Sequence, residues 1–308
     1  MIIKIATRNR EEWKELRRGY IGGSDAASVI GLNPFKSAYS LWAEKTGQIP
    51  EFEGNLATDM GTYLEDFIAK LFEKETGKKV RKESRSFLND KYVWAIANYD
   101  RLIVGEDAGL ECKFVDSINL KKYKNGEFPD RFYAQCVHYL AVSGKKRWYL
   151  AVLIGNKEFK WFCIERDEEE IAALMSAEEK FYNNVKTKTP PAVDGMKSTD
   201  EAISTIYPDS NGDIVSLMAY ETDLMQFLSL KAQIDALEEQ KKQMANRVKT
   251  FMKEAGKGES NRYKVTWNTT VKKTFDTEAF AKDHKDMDLN KYYKTSSYRT
   301  FKVSEKGA

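Results

Sequence analysis

A chain of 308 residues with a formal net charge of +3 and 42% hydrophobic residues has room for one medium domain and a smaller one, with apolar content enough for a packed core. Its three scattered cysteines, Cys112, Cys136 and Cys163, are odd in number and lack a C-x-x-C pair, which argues against a disulfide framework and a zinc site and points to a reducing compartment. The N-terminus lacks the apolar region of a signal peptide, and no apolar run reaches membrane-spanning length, so the expected setting is cytoplasmic, with no membrane partner.

In chain order, Glu11 to Arg18 reads as a short helix, followed by Gly22-Gly23-Ser24-Asp25 ahead of an apolar run. Glycines before a Ser/Asp cap expose backbone N–H groups, and Arg17 or Arg18 would supply a clamp for phosphate; taken alone, an ordinary N-cap is the simpler reading. Ser37 to Gly47 reads as a second helix. Asp59 to Gly77 is a strong amphipathic one, with Leu64, Phe67, Ile68, Leu71 and Phe72 at helical spacing and Glu65 at the edge of that stripe. Strand-like Phe87-Leu88 and Tyr92 to Ala97 lead into Tyr99 to Lys113.

That segment carries the chemistry. Two apolar runs flank Gly105-Glu106-Asp107-Ala108, the pattern of a hairpin with an acidic turn. Strand periodicity puts Glu111 and Lys113 on one face, and the hairpin can bring Asp100 beside Glu111. An acidic pair with a lysine is what metal-assisted phosphodiester hydrolysis needs: hard oxygen ligands for magnesium and a cation to orient water or stabilise charge. On these three residues alone an exposed polar hairpin is the simpler reading, because Glu-x-Lys is common. Asp107 is a competing carboxylate, weaker by its turn position.

Lys121, Lys122 and Lys124 follow in a polar stretch suited to a DNA backbone or to solvent. Phe132 to Val142 reads as a buried helix with two polar exceptions. Gln135 requires a hydrogen-bond partner, since leaving it without one costs on the order of 1–3 kcal/mol. His138, with no second histidine near it, reads as a satisfied core residue. Trp148 to Ile154 and Phe159 to Ile164 form a second hairpin, and a helix from Asp167 to Val185 follows. The expected fold is α/β, a mixed central sheet flanked by helices over residues 1–195.

A linker is expected over 196–214, with a C-terminal long helix and small basic α+β extension over 215–308. Leu217, Leu224, Leu230, Leu237, Met244 and Phe251 recur at close to seven residues on the helix, a stripe expected to pack on its own domain. Short strands are expected at 263–267, 272–275 and 298–303 around a helix near 277–284. From Arg262 to Lys306 eleven Lys/Arg face six Asp/Glu, so the tail carries +5 and the preceding 261 residues −2. A basic, aromatic-rich tail suits an anionic or protein partner, or simply solvent.

The order Trp13-Lys-Glu-Leu-Arg17, Ile21-Gly-Gly-Ser24-Asp25, Gly61-Thr-Tyr-Leu-Glu65, Asn98-Tyr-Asp100, Leu110-Glu111-Cys-Lys113 and Tyr133-Ala-Gln135 resembles the YqaJ-type phage recombinases, relatives of lambda exonuclease in the PD-(D/E)XK nuclease superfamily. The likeness spans Trp13 to Gly195 and implies a restriction-endonuclease-like nuclease core. It implies that Asp100, Glu111 and the backbone carbonyl of Cys112 bind magnesium (manganese being an acceptable substitute), with Glu65 completing the cluster directly or through water. It implies that Lys113 positions the nucleophilic water, and that Gln135 holds the lysine or the phosphate. Arg17 and Ser24 match positions that grip a 5′-phosphate.

Two departures stand out. Asp100 is followed by Arg101 where the family usually has glycine, placing an extra cation near the site for phosphate contact. The arginine usual shortly after the lysine is absent: Asn119 occupies the nearest position, with Lys121 or Lys122 as substitutes. The function implied is a magnesium-dependent 5′-to-3′ exonuclease on double-stranded DNA ends, leaving 3′ single strands for a single-strand annealing protein in phage recombination. A homo-oligomeric ring, a trimer by resemblance, would enclose the DNA. A metal-dependent endonuclease of the same superfamily and a non-catalytic DNA-binding or partner-recruiting module are the alternatives.

Overall fold

Apolar periodicities of 3.6 and 2 alternate along the first two thirds of the chain and become helices and strands in the expected places. The computed structural model describes residues 1–285 and 287–306. It opens with β1 (Ile2–Ile5), α1 (Arg10–Arg18), β2 (Ile21–Gly22), α2 (Gly23–Val29) and α3 (Ala38–Lys45). The long amphipathic helix is α4 (Leu56–Thr76), capped by Asn55 at its start and closed by Gly77 at φ 70°, a left-handed position that favours glycine. Next come β3 (Val80–Lys82), β4 (Ser86–Asn89), β5 (Tyr92–Asn98), β6 (Arg101–Ile103) and β7 (Ala108–Val115), then a 3-10 turn at Ser117–Tyr123. The first unit is completed by α5 (Asp130–Ser143), β8 (Arg147–Ile154), β9 (Glu158–Glu165), α6 (Glu168–Thr187) and α7 (Lys197–Ile206).

The strands form two sheets rather than one central sheet. One has the order β1-β4-β5-β2, the other β3-β6-β7-β8-β9. Both are mixed, because β2–β5 and β7–β8 run parallel and the remaining pairs antiparallel. Alternation along β7 sorts its side chains. Leu110 and Cys112 pack with Ile68, Ala69 and Phe72 of α4, whereas Glu111 reaches Gln135 of α5. The register is held at Gly109, opposite Trp148: a Cβ there would lie 2.2 Å from the indole. The larger apolar cluster joins α2, α3, α5, α6 and β8. His138 is fully buried, its Nδ1 2.8 Å from Glu178 Oε1 and its Nε2 3.0 Å from the Ile96 carbonyl, a satisfied core histidine.

The first compact unit ends at Tyr207, not at Gly195. Within the stretch expected to be linker, α7 buries Thr199 and Ala202; the Thr199 hydroxyl donates to Ser37 Oγ at 2.7 Å, and Ser37 N–H donates to Ser198 Oγ. The second unit starts at Pro208 and holds α8 (Glu221–Met252), a hairpin of β10 (Lys257–Glu259) and β11 (Lys264–Thr266), and α9 (Thr277–Asp283). Lys253, at φ 50°, ends α8. The runs at 272–275 and 298–303 are not strands. Among the described residues no helix is long and apolar enough to cross a membrane.

Candidate active site

The hairpin from Tyr99 to Lys113 forms as its sequence dictates. Arg101 pairs with Leu110 across β6 and β7, which makes Asp100 and Glu111 the next opposed residues. Asp100 is fixed by its own hydrogen bond: Cys112 N–H donates to Asp100 Oδ2 at 2.7 Å. Lys113 Nζ lies 2.5 Å from Glu111 Oε1, and Gln135 Nε2 donates to the same oxygen at 2.7 Å. The other Glu111 oxygen, Oε2, is buried and has no hydrogen-bond partner among the described residues. Gln135 also reaches Tyr139 Oη at 2.8 Å, so its amide nitrogen serves Glu111, the partner of Lys113, and Tyr139.

The electrostatics follow from this crowding. Burial, then the carboxylates of Glu111 and Glu65, push the Asp100 carboxyl well above its ordinary value, against the opposing effects of Lys113 and the Cys112 N–H. For Lys113, burial works against the charged form, but Glu111 and Asp100 outweigh it and the pKa rises. The ammonium therefore stays protonated and acts as a fixed charge. Burial, then Asp100, raises the Cys112 thiol far above its usual range, so Cys112 offers the site its backbone and no nucleophile.

Glu65 and Arg101 are engaged with each other. The Arg101 side chain is 4% exposed and is bonded to Glu65 and Asp66 of α4. Its guanidinium is therefore already engaged by two carboxylates, and one Glu65 oxygen is taken. Among the described residues no group of three His, Cys, Asp or Glu side chains is arranged to hold a metal ion. The donor set that fits a divalent cation is the Asp100–Glu111 pair, hard oxygens with one unpartnered buried atom, in the manner of magnesium sites that use one or two carboxylates and leave the rest to water and phosphate. Asp107 is held at the turn by Lys145 at 3.2 Å. Lys121 and Lys122 are exposed on the 3-10 turn.

A second cluster lies where α1 meets α2. Arg17 Nη2 donates to Ser24 Oγ at 2.7 Å and its guanidinium sits 4.9 Å from the Trp13 ring centre. These residues border a cleft of about 430 Å³ also lined by Arg10, Lys14 and Lys36. Gly22 is the cap of α2, not Ser24 or Asp25 as expected. Asp25 turns inward, where it accepts from Gly22 N–H at 3.0 Å and pairs with Lys45 at 3.0 Å and Arg17 at 3.7 Å. Burial alone would raise its pKa, but Lys45 and then Arg17 bring it well below the usual carboxylate range.

The two clusters are linked by a close contact. A Cβ on Gly23 would lie 2.5 Å from the Tyr139 ring, so only glycine lets α2 lie against the residue that also bonds Gln135. The sequence reading missed both Tyr139 and Lys45. Tyr139 was findable, since it lies four residues after Gln135 on the same helical face. Lys45 gave no local sign, because its partner lies on a different helix.

Residues 12–146 match the YqaJ-like viral recombinase domain. Over 311 aligned residues the chain is 37% identical to the uncharacterized protein YqaJ of Bacillus subtilis (strain 168), covering 99% of this chain and 97% of that one. A shorter stretch, 63 residues at 41% identity, is shared with a protein of African swine fever virus and covers 20% of this chain and 18% of that one. The crystal structure of an alkaline exonuclease from Laribacter hongkongensis superposes with a TM-score of 0.50 at 20% identity, over 58% of this chain and 94% of that one. At that identity the likeness is one of fold.

Proposed function

The chain belongs to the YqaJ-like viral recombinase family, and on that premise we propose that it is a magnesium-dependent exonuclease that degrades double-stranded DNA ends in the 5′-to-3′ direction. In this reading the 3′ single strand passes to an annealing protein, and copies of the chain close into a ring around the duplex. The observation that carries it is the buried Oε2 of Glu111, unpartnered among the described residues, next to an Asp100 whose pKa is driven up by burial and then by its carboxylate neighbours. Such a pair is destabilised as it stands and is relieved by a divalent cation.

Asp100, Glu111 and the Cys112 carbonyl would hold the ion. When bound, it supplies positive charge at the scissile phosphate. Gln135 fixes Glu111 through Oε1 and leaves Oε2 to the ion. Lys113, protonated and 2.5 Å from Glu111, orients the attacking water and stabilises the charge that develops on the phosphate oxygens. Arg17 and Ser24 would receive the 5′-phosphate of the strand end, a contact that sets register without reading sequence.

The test is a digestion time course with magnesium on linear duplex labelled at either strand end and on covalently closed circles, each repeated in EDTA. Loss of 5′ label alone, with circles intact and EDTA abolishing the reaction, is the expected result. Cleaved circles would identify an endonuclease. Absence of metal-dependent cutting would leave a DNA-binding or recruiting module.

A further inference from the structure

The seven-residue recurrence on α8 has no part in phosphodiester chemistry, and its own unit leaves it largely uncovered. On the helix it resolves into two interleaved sets. Phe227, Ile234, Lys241 and Val248 repeat every seven residues, and Leu230, Leu237, Met244 and Phe251 do so three residues later. This 3–4 alternation is an a/d seam sustained over four heptads. Leu217 precedes the helix and Leu224 lies off the seam. Ile234 is 59% exposed, Leu237 63%, Met244 62% and Phe251 89%. Phe227 meets the Phe301 ring edge-on, with centroids 5.6 Å apart, yet remains 42% exposed.

We propose that α8 pairs with α8 of a second copy of this chain as a parallel, in-register, two-stranded coiled coil. Side-chain shape argues for two strands: β-branched Ile234 and Val248 occupy a positions while Leu230 and Leu237 occupy d positions. Lys241 is the single polar residue of the seam. It already reaches outward to Glu238, a path open at the edge of a two-stranded seam, and a lone polar a position fixes register.

Charge on the flanks argues for self-pairing. In a parallel pair the facing g and e residues are Gln226 with Lys231, Gln233 with Glu238, Gln240 with Ala245, and Arg247 with Met252. None opposes like charges. A seam selected for a different partner would carry a block of one sign for the partner's opposite sign to meet, and none is present here. Area argues the same way: seven apolar side chains per helix, each about half exposed or more, give roughly 1,000 Å² across a symmetric pair, the size a specific interface has to clear. The pairing depends on neither the nuclease reading nor the ring; if copies also close a ring through the first unit, coiled-coil pairing joins two rings.

Sedimentation equilibrium of the full chain tests it, with Ile234→Glu/Leu237→Glu as the comparison and circular dichroism and thermal unfolding to check folding. The expected result is a twofold fall in mass on substitution. For orientation, Leu230→Cys in a Cys163→Ser background should give disulfide-linked dimers under mild oxidation, because only a parallel pair brings this end of α8 against its copy, while Glu239→Cys, on the outer face, should not; Cys112 and Cys136 are buried. A mass unchanged by the double substitution would overturn the proposal, and is also what a different protein's helix on this face would produce. Absence of cross-linking at 230, or equal cross-linking at 230 and 239, would overturn it too.

Discussion

Asp25 and Asp100 are the same residue type in two charged clusters of the first unit, and their surroundings pull them in opposite directions. Asp25 has cations around it, Lys45 and Arg17, and its pKa falls despite burial. Asp100 has carboxylates around it, Glu111 and Glu65, and its pKa rises with burial. A carboxylate whose charge is already balanced contributes to stability. One crowded by its own kind costs stability, and is kept where a cation or substrate supplies the balance. The difference predicts which substitutions damage activity and which damage the fold.

The largest effect is expected from Glu111→Gln, which keeps shape but removes the charge. Initial rates on linear duplex should fall about 10³-fold, while urea denaturation shows a smaller loss of stability than Asp25→Asn, because relief of the contact with Asp100 offsets loss of the Lys113 pair. A variant as active as the parent would break the comparison.

Asp25→Asn should do the reverse. It leaves Lys45 facing an amide and should cost about 3 kcal/mol in urea denaturation, in the range for breaking a buried ion pair. The sign with pH is fixed: Asp25 titrates lower in the folded chain than in the unfolded one. Its contribution is therefore fully present above an unfolded value of about 4 and is lost as pH falls through the folded value. The difference in stability between parent and Asp25→Asn should shrink over that acid range; a constant difference would remove the ion-pair account.

Arg17→Ala is expected to lower the rate on 5′-phosphorylated ends by about tenfold and on 5′-hydroxyl ends by less. Equal losses on the two substrates would make Arg17 a partner of Asp25 alone. The smallest effect should be that of Tyr139→Phe, which removes one bond to Gln135 while keeping the ring against Gly23. A drop of roughly threefold to tenfold in rate, with unchanged stability, is expected of a residue that acts through the group holding Glu111.

Much of this was legible in the sequence because it is local. The β6–β7 hairpin, the shared face of Glu111 and Lys113, the buried Gln135 and the long stripe of α4 all follow from spacing within a single element or between neighbours. What was not legible depends on elements brought together from afar. Arg101 reads as a cation near phosphate until α4 places Glu65 and Asp66 against it. Asp25 reads as a helix cap until α3 delivers Lys45. The split into two sheets, and the docking of α7 within the first unit, are likewise settled by packing partners that no window of residues contains. In the tail, β-favouring residues at 272–275 and 298–303 formed no strand, since propensity alone does not supply a pairing edge.

The contact of Gly109 with Trp148 has a further consequence. A strand that slips by one residue turns every side chain over, which in β7 would carry Glu111 and Lys113 into the apolar cluster on α4. The indole acts as a locating dowel, seated where Gly109 has no side chain. With the dowel seated, the carboxylate of Glu111 and the ammonium of Lys113 cannot change sides, so the alignment of the chemistry is guaranteed by a residue that takes no part in it.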